Sequence, residues 1–297
     1  MKVSLITEQP NAASAELDRL SALEIARIMN SEDAKVAAAV QRVLPAIARA
    51  IDAIAESLAE GGRLIYAGAG TSGRIAALDA VECPPTFQTD PRTVQFVIAG
   101  GEKALRAATE AEEDSRALGR RDLMRKRPTK KDVIVGIAAS GRTPYTLAAI
   151  QYARQRGAKT IAVTCNADSP LAAAAGIAVV VEVGPEIVAG STRMKAGTAE
   201  KLVLNMLSTG AMARLGYVYG NLMANMRLKN EKLIQRGLAI LERAAKVDRE
   251  QAQKALKDAG MNLPLALVML KAGVTRAQAA RRLKRTHGHI RKAVEMH

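Results

Sequence analysis

The sequence contains no tryptophan, and five tyrosines and two phenylalanines make up its 2% of aromatic residues. That scarcity argues against a broad aromatic platform for a sugar ring or a base, so polar groups must orient any ligand. Only two cysteines occur, Cys83 and Cys165, and neither sits in a C-x-x-C pair, so no disulfide framework is expected. The three histidines, His287, His289 and His297, all lie at the C-terminus. Ser–His–Asp catalysis therefore has little support, and with no His/Cys cluster no metal is expected. There is no G-x-x-x-x-G-K-[ST] segment, which argues against use of a nucleoside triphosphate. The apolar runs are broken by glycine or charge before reaching the about 18 residues of a membrane span. The N-terminal MKVSLITEQPN carries no apolar signal core, so a cytoplasmic protein without membrane contact is expected. Acidic charge is the minority sign: 29 Asp plus Glu against 44 Lys plus Arg gives a net charge of +15. Such a balance favours anionic partners or serves solubility alone.

What is present is a change of period along the chain. Residues 14–60 are Ala-rich with helical spacing, one helix being capped near Ser14 and the run stopping at Gly61-Gly62. Five short runs rich in β-branched residues follow, at Leu64–Ala67, Val94–Ala99, Val133–Ala138, Thr160–Thr164 and Ala178–Val183, alternating with helical segments. Fully apolar strands separated by helices specify an α/β fold with a doubly wound five-stranded parallel sheet flanked by helices. Residues 194–235 are again helical, and Gly260 and Gly273 punctuate a small C-terminal three-helix domain. The expected organisation is an N-terminal helical segment at 1–60, a sheet domain at 61–235 and a small helical domain at 240–297.

In such sheets ligands bind beyond the C-terminal strand ends. Strand one runs into GAGTSGR, where Gly68, Gly70 and Gly73 spell the G-x-G-x-x-G of dinucleotide turns. A dinucleotide site also wants an acidic residue about 20 positions on, at the end of strand two. Asp90 precedes that strand, and Glu102 comes after Gly100-Gly101, so the fingerprint fails and no dinucleotide cofactor is expected. The loop fits a phosphate instead. A helix N-terminus offers unpaired N–H groups and partial positive charge, and Thr71 and Ser72 add hydroxyls. Ser140, Arg142 and Thr143 in SGRTP repeat the arrangement at the end of strand three. One such serine or threonine is ordinarily a helix cap, but two loops at adjacent strand ends favour a shared phosphate.

Together these residues resemble the sugar isomerase (SIS) family of phosphosugar-binding domains. The segment GPEIVAGSTRMKAGTAEK at 184–201 is similar to a signature shared by N-acetylmuramic acid 6-phosphate etherases and glucokinase regulatory proteins, and ITEQPN, ECPPTF, EDSR and NEKL are similar to the bacterial etherases. At 297 residues the chain is shorter than the two-domain regulatory proteins, so the etherase side of the family is preferred. The resemblance implies a UBA-like small domain at the C-terminus, a homodimer whose site is completed across subunits, and no cofactor. It also implies cleavage of the D-lactyl ether of N-acetylmuramic acid 6-phosphate to N-acetylglucosamine 6-phosphate and D-lactate, in the recycling of peptidoglycan sugars.

Ether cleavage by elimination needs two positioned acid–base groups. Glu82 in VECPP is the first candidate, with Pro84-Pro85 expected to hold its backbone in an extended turn. In ATEAEEDS, Glu110, Glu112 and Glu113 are equally placed by spacing, and the resemblance selects Glu113. It also assigns Glu82 as proton donor to the lactate oxygen and Glu113 as base. Ser191, Thr192, Arg193 and Lys195 in the signature combine hydroxyls with cations, which suits a phosphate, a lactyl carboxylate or an enolate. Glu186 is a candidate for sugar hydroxyls or ring opening. The basic tail, with Arg281, Arg282, Lys284, Arg285, Arg291 and Lys292, leaves open a phosphosugar-sensing DNA- or protein-binding regulator, although a solvated helical face is the preferred reading and nucleic acid is not the favoured partner.

Overall fold

The computed structural model describes residues 5–296. The chain forms two compact units, one of Met1–Val81 with Arg92–Ser208 and the other of Glu82–Pro91 with Thr209–His297.

The first unit is built on five parallel strands, β1 (Leu64–Gly68), β2 (Val94–Ile98), β3 (Val133–Ile137), β4 (Lys159–Thr164) and β5 (Ile177–Val180), in the order β2-β1-β3-β4-β5. Every residue of β1 and β3 is buried, the burial expected of strands covered on both faces. The order reverses between β1 and β3, so this is the switch point at which a doubly wound sheet opens a crevice. Their register pairs Gly68 with Ile137, so the GAGTSGR and ASGRTP loops leave the sheet at the same level. At the opposite edge Arg63 donates through Nε and a terminal nitrogen to Asp132, at 3.0 and 2.8 Å, tying the starts of β1 and β3.

Helices α1 (Ala22–Gln41), α2 (Leu44–Ala59), α3 (Gly70–Phe87), α4 (Glu110–Glu113), α5 (Arg116–Arg125), α6 (Pro144–Gln155), α7 (Pro170–Ala174) and α8 (Lys195–Arg214) follow in chain order. The first α-helix starts at Ala22 and not near Ser14, which ends a 3-10 turn, Ala12–Ser14. Ser21 and Glu24 form a capping box, whereas the Ser14 hydroxyl donates to the Ile187 carbonyl at 2.7 Å. The segment before α1 is thereby laid along the signature loop. The Ile6 N–H donates to Asn166 Oδ1 after β4, and the Gly190 N–H donates to the Thr7 carbonyl.

The expected extended turn at Pro84-Pro85 is also corrected, because both prolines lie inside α3. A proline deletes one i→i−4 donor, and two of them are tolerated here because the helix ends within a turn. Thr86 Oγ1 donates to the Glu82 carbonyl, and Asn225 caps the end by donating to the Phe87 carbonyl at 2.8 Å.

The second unit holds α9 (Glu231–Ala245), α10 (Arg249–Asp258), α11 (Leu263–Ala272), α12 (Arg276–Arg285) and α13 (Ile290–Glu295). Helices α10 to α12 are the three expected from the glycine punctuation. Helices α9 and α13 complete the same core around Leu241, Leu256, Leu267 and Ile290. Side-chain caps set the starts: Asn230 in NEKL, Asp248 and Thr275 with capping boxes, Asn262, and His289, whose ring accepts from the Lys292 N–H.

Candidate active site at the β1–β3 switch point

The GAGTSGR loop turns from β1 into α3 without room for side chains. Gly70 has φ +51°, and a Cβ there would stand 2.8 Å from Oε1 of Glu113. A Cβ on Gly73 would come within 2.5 Å of Ile98 on β2. These glycines therefore let the loop lie flat on β2 and let a carboxylate rest on its backbone.

Glu113 reaches that position through the loop after β2. Arg74, in the first turn of α3, donates to the carbonyls of Ala104 and Ala107, both at 2.8 Å. Thr109 Oγ1 donates to the Ala99 carbonyl at 3.1 Å, and Ser115 caps α5. Of the three glutamates left equal by spacing, Glu110 is exposed and Glu112 and Glu113 are half-buried, and it is the Glu113 carboxylate that lies over Gly70. Burial, followed by the negative charge of Glu110, pushes the Glu113 carboxyl above its usual range against the pull of Arg74.

Thr71 is half-buried, with its methyl group 3.4 Å from where a Cβ on Gly197 would stand, and the Gly197 N–H donates to the Thr192 carbonyl at 3.0 Å. The signature loop thus meets the β1 loop at Gly197. Ser72 is buried and hydrogen-bonds to Glu200 at 2.8 Å. At the end of β3, Ser140 accepts from the Arg142 N–H, and Thr143 makes no side-chain cap to α6. Gly141 packs against Ser169 with φ +65°, and Asn166 donates to the Ala139 carbonyl, so the β4 loop braces the β3 loop. Arg142 and Arg193 are exposed, and Ser191 and Thr192 are half-buried.

Two expected ligand residues are held by protein groups instead. Glu186 is buried and accepts the Lys195 and Ala196 N–H groups, both at 2.9 Å, so it caps α8. Lys195, 1% exposed, pairs with Glu32 of α1 at 2.6 Å. Burial opposes the charge on Glu32, but hydrogen bonds from Lys195, Lys35 and Asn11 outweigh it and hold the carboxyl at about 2. Glu82 belongs to the second unit, where its side chain is exposed on α3.

Sequence reasoning missed Glu32, Asn11, Asn166 and Glu200. For Glu200 a signal existed. It shares the helical stripe Ala196, Glu200, Val203, Leu207, whose other members are fully buried, so its carboxylate had to be buried too.

The basic side chains Arg281, Lys284, Arg285, Arg291 and Lys292 are exposed, with Arg282 half-buried. Arg291 lies over the Tyr219 ring at 4.6 Å and reaches Glu295 at 3.4 Å. Among the described residues no helix is long and apolar enough to cross a membrane.

The doubly wound sheet with hydroxyl-rich loops at its switch point has the architecture of a SIS domain. Residues 119–210 match the SIS domain, and residues 46–154 match the glucokinase regulatory protein N-terminal SIS domain. A phosphoheptose isomerase from Francisella tularensis shares the fold, with a TM-score of 0.51 at 18% identity over 65% of this chain and 100% of that one. The chain is also 51% identical over 297 residues to an N-acetylmuramic acid 6-phosphate etherase of Photorhabdus laumondii, covering 99% of both chains. It is 49% identical to the etherase of Clostridium beijerinckii, over 98% of this chain and 96% of that protein. The chain belongs to the N-acetylmuramic acid 6-phosphate etherase family.

Proposed function

We propose that the protein cleaves the D-lactyl ether of N-acetylmuramic acid 6-phosphate by elimination and water addition, releasing D-lactate and N-acetylglucosamine 6-phosphate. The observation that carries the site assignment is the half-buried Glu113 carboxylate lying on Gly70 in the loop suited to the phosphate. The loop's open N–H groups and the hydroxyls of Thr71, Ser72, Ser140 and Thr143 hold the 6-phosphate, with Arg142 adding charge. Ser191, Thr192 and Arg193 face the lactyl carboxylate or the developing enolate.

An ether is a poor electrophile, so direct hydrolysis is hard. In the open-chain sugar the aldehyde at carbon 1 acidifies the proton on carbon 2. Glu113 removes that proton, and the electron pair forms the carbon 2–carbon 3 double bond as the carbon 3–oxygen bond breaks. Glu82 protonates the departing lactate oxygen. Water then adds at carbon 3 and a proton returns to carbon 2, which restores the saturated sugar. The role given to Glu82 rests on its ECPP motif. That of Glu113 rests on its motif and on a carboxyl whose proton affinity is raised by burial, which makes it a stronger base than an ordinary glutamate.

The protein acts as a homodimer with each site completed by its partner. Leu78 and Val81 support this: they stand one turn apart on α3 and remain 51% and 56% exposed. A phosphorylated sugar does not leave the cell readily, so the reaction runs in the cytoplasm, within peptidoglycan sugar recycling. The assay is D-lactate release from N-acetylmuramic acid 6-phosphate. Wild type is expected to release it and Glu113→Gln to fail, and full turnover by Glu113→Gln would remove Glu113 from the mechanism.

A further inference from the structure

Ser72 lies in the loop proposed to hold the phosphate, yet its hydroxyl is 2.8 Å from Oε1 of Glu200, a side chain 1% exposed. A serine hydroxyl has one proton to give and two lone pairs. Were Glu200 ionised, that proton would point at Glu200, and Ser72 would offer only lone pairs to an anion. A buried negative charge would then stand one hydroxyl away from a phosphate.

The opposite protonation gives a consistent chain. Glu200 Oε1 carries the proton and donates it to Ser72 Oγ, and the Ser72 O–H turns outward. Two observations support this direction. Oε2 of Glu200 is buried without a hydrogen-bond partner, which a neutral carbonyl oxygen tolerates far better than a carboxylate does. Among the described residues no cation compensates at the site: Lys195, earlier on α8, is paired with Glu32, and Lys201 is exposed. The other titratable groups facing this space are Cys165, after β4, and Glu186. Burial, with the nearby Glu200 and Glu186, pushes the Cys165 thiol well up, so it stays neutral, and Glu186 accepts the α8 N–H groups.

We infer that Glu200 is a positioning residue that donates a hydrogen bond to Ser72 and so aims the Ser72 hydroxyl at the substrate phosphate. The inference rests on the phosphate reading of the GAGTSGR loop. It carries a pH dependence. Burial, opposed by the Ser72 hydrogen bond, pushes the Glu200 carboxyl up to about 8. Below that value the donor is present. Above it Glu200 loses its proton, the hydrogen bond reverses and a negative charge appears behind the loop. The phosphate's own second ionisation, near a pKa of about 6, is complete by then.

The test is KM and kcat for N-acetylmuramic acid 6-phosphate between about pH 6.5 and about pH 9.5, bracketing the Glu200 transition. Wild-type KM is expected to rise about tenfold per pH unit above about 8 while kcat stays level. In Glu200→Leu, which cannot donate, KM at pH 7 rises about tenfold and the alkaline rise vanishes. Glu200→Gln has an amide donor at every pH, so it restores the affinity lost in Glu200→Leu and shows a flat KM. A flat wild-type KM, a wild-type KM in Glu200→Leu, or an alkaline rise retained by Glu200→Gln would overturn the inference. Ser72→Ala separates it from the reading beneath it. An unchanged KM in Ser72→Ala defeats the phosphate loop itself. A raised KM there, with the alkaline rise kept in Glu200→Gln, defeats the role of Glu200 alone.

Discussion

The chemical task proposed for Glu113 follows from backbone geometry. Its carboxylate rests on Gly70 because the loop after β2 is fastened by Arg74 and Thr109, and the partial burial that results raises its proton affinity. A base acts in its ionised form, so activity must fall as pH drops through this raised value. The acid limb of kcat/KM is therefore expected above the ordinary glutamate value of about 4.3. A limb at or below that value contradicts the placement. Glu113→Gln is expected to lower kcat by about 10²–10⁴-fold with KM and melting temperature little changed. Gly70→Ala tests the same contact from the other side. Its φ of +51° costs an alanine roughly 1–2 kcal/mol, and the new Cβ displaces the carboxylate, so turnover should fall much further than stability.

At the scale of elements, much was legible and the exceptions have physical causes. Strand–loop–helix alternation identified all five strands, because buried parallel strands are written as continuous apolar runs. The hydroxyl loops at β1 and β3 followed from the same alternation. Ser14 misled because its hydroxyl answers a carbonyl 173 positions away, whereas Ser21 has its glutamate three residues on. Pro84 and Pro85 misled because prolines close to a helix end cost it little of its ladder. Lys195 reads as a phosphate cation in a loop of hydroxyls, and only the tertiary fold brings Glu32 of α1 onto it. That pair fastens α1 to the start of α8. Lys195→Met removes the buried partner of Glu32 and leaves it only Lys35 and Asn11, so it should cost about 1–3 kcal/mol in urea unfolding, with much of it recovered in the Glu32→Leu, Lys195→Met double variant. The Glu32 carboxyl is depressed to about 2, so its stabilising contribution is present above the ordinary carboxylate range and is lost as pH falls from about 4.3 through about 2. Wild type should lose stability across that acid window more steeply than the double variant.

For the whole molecule, the proposed dimer is tested at Leu78 and Val81, the exposed apolar pair on α3. Sedimentation is expected to give a dimer for wild type and a monomer for the Leu78→Asp, Val81→Asp variant, with activity lost in parallel; a fully active monomer would contradict a site shared between subunits. The central claim is elimination followed by hydration, and it concerns which carbon–oxygen bond breaks. The most direct measurement is turnover of N-acetylmuramic acid 6-phosphate in water enriched in heavy oxygen, with mass spectra of both products. Addition of water at carbon 3 should place the label on carbon 3 of N-acetylglucosamine 6-phosphate, located by fragmentation because the carbon 1 aldehyde also exchanges its oxygen with water, and leave the lactate unlabelled. Label in the lactate would mean that water displaced the ether at the lactyl carbon, and the roles given to Glu82 and Glu113 would fall with it.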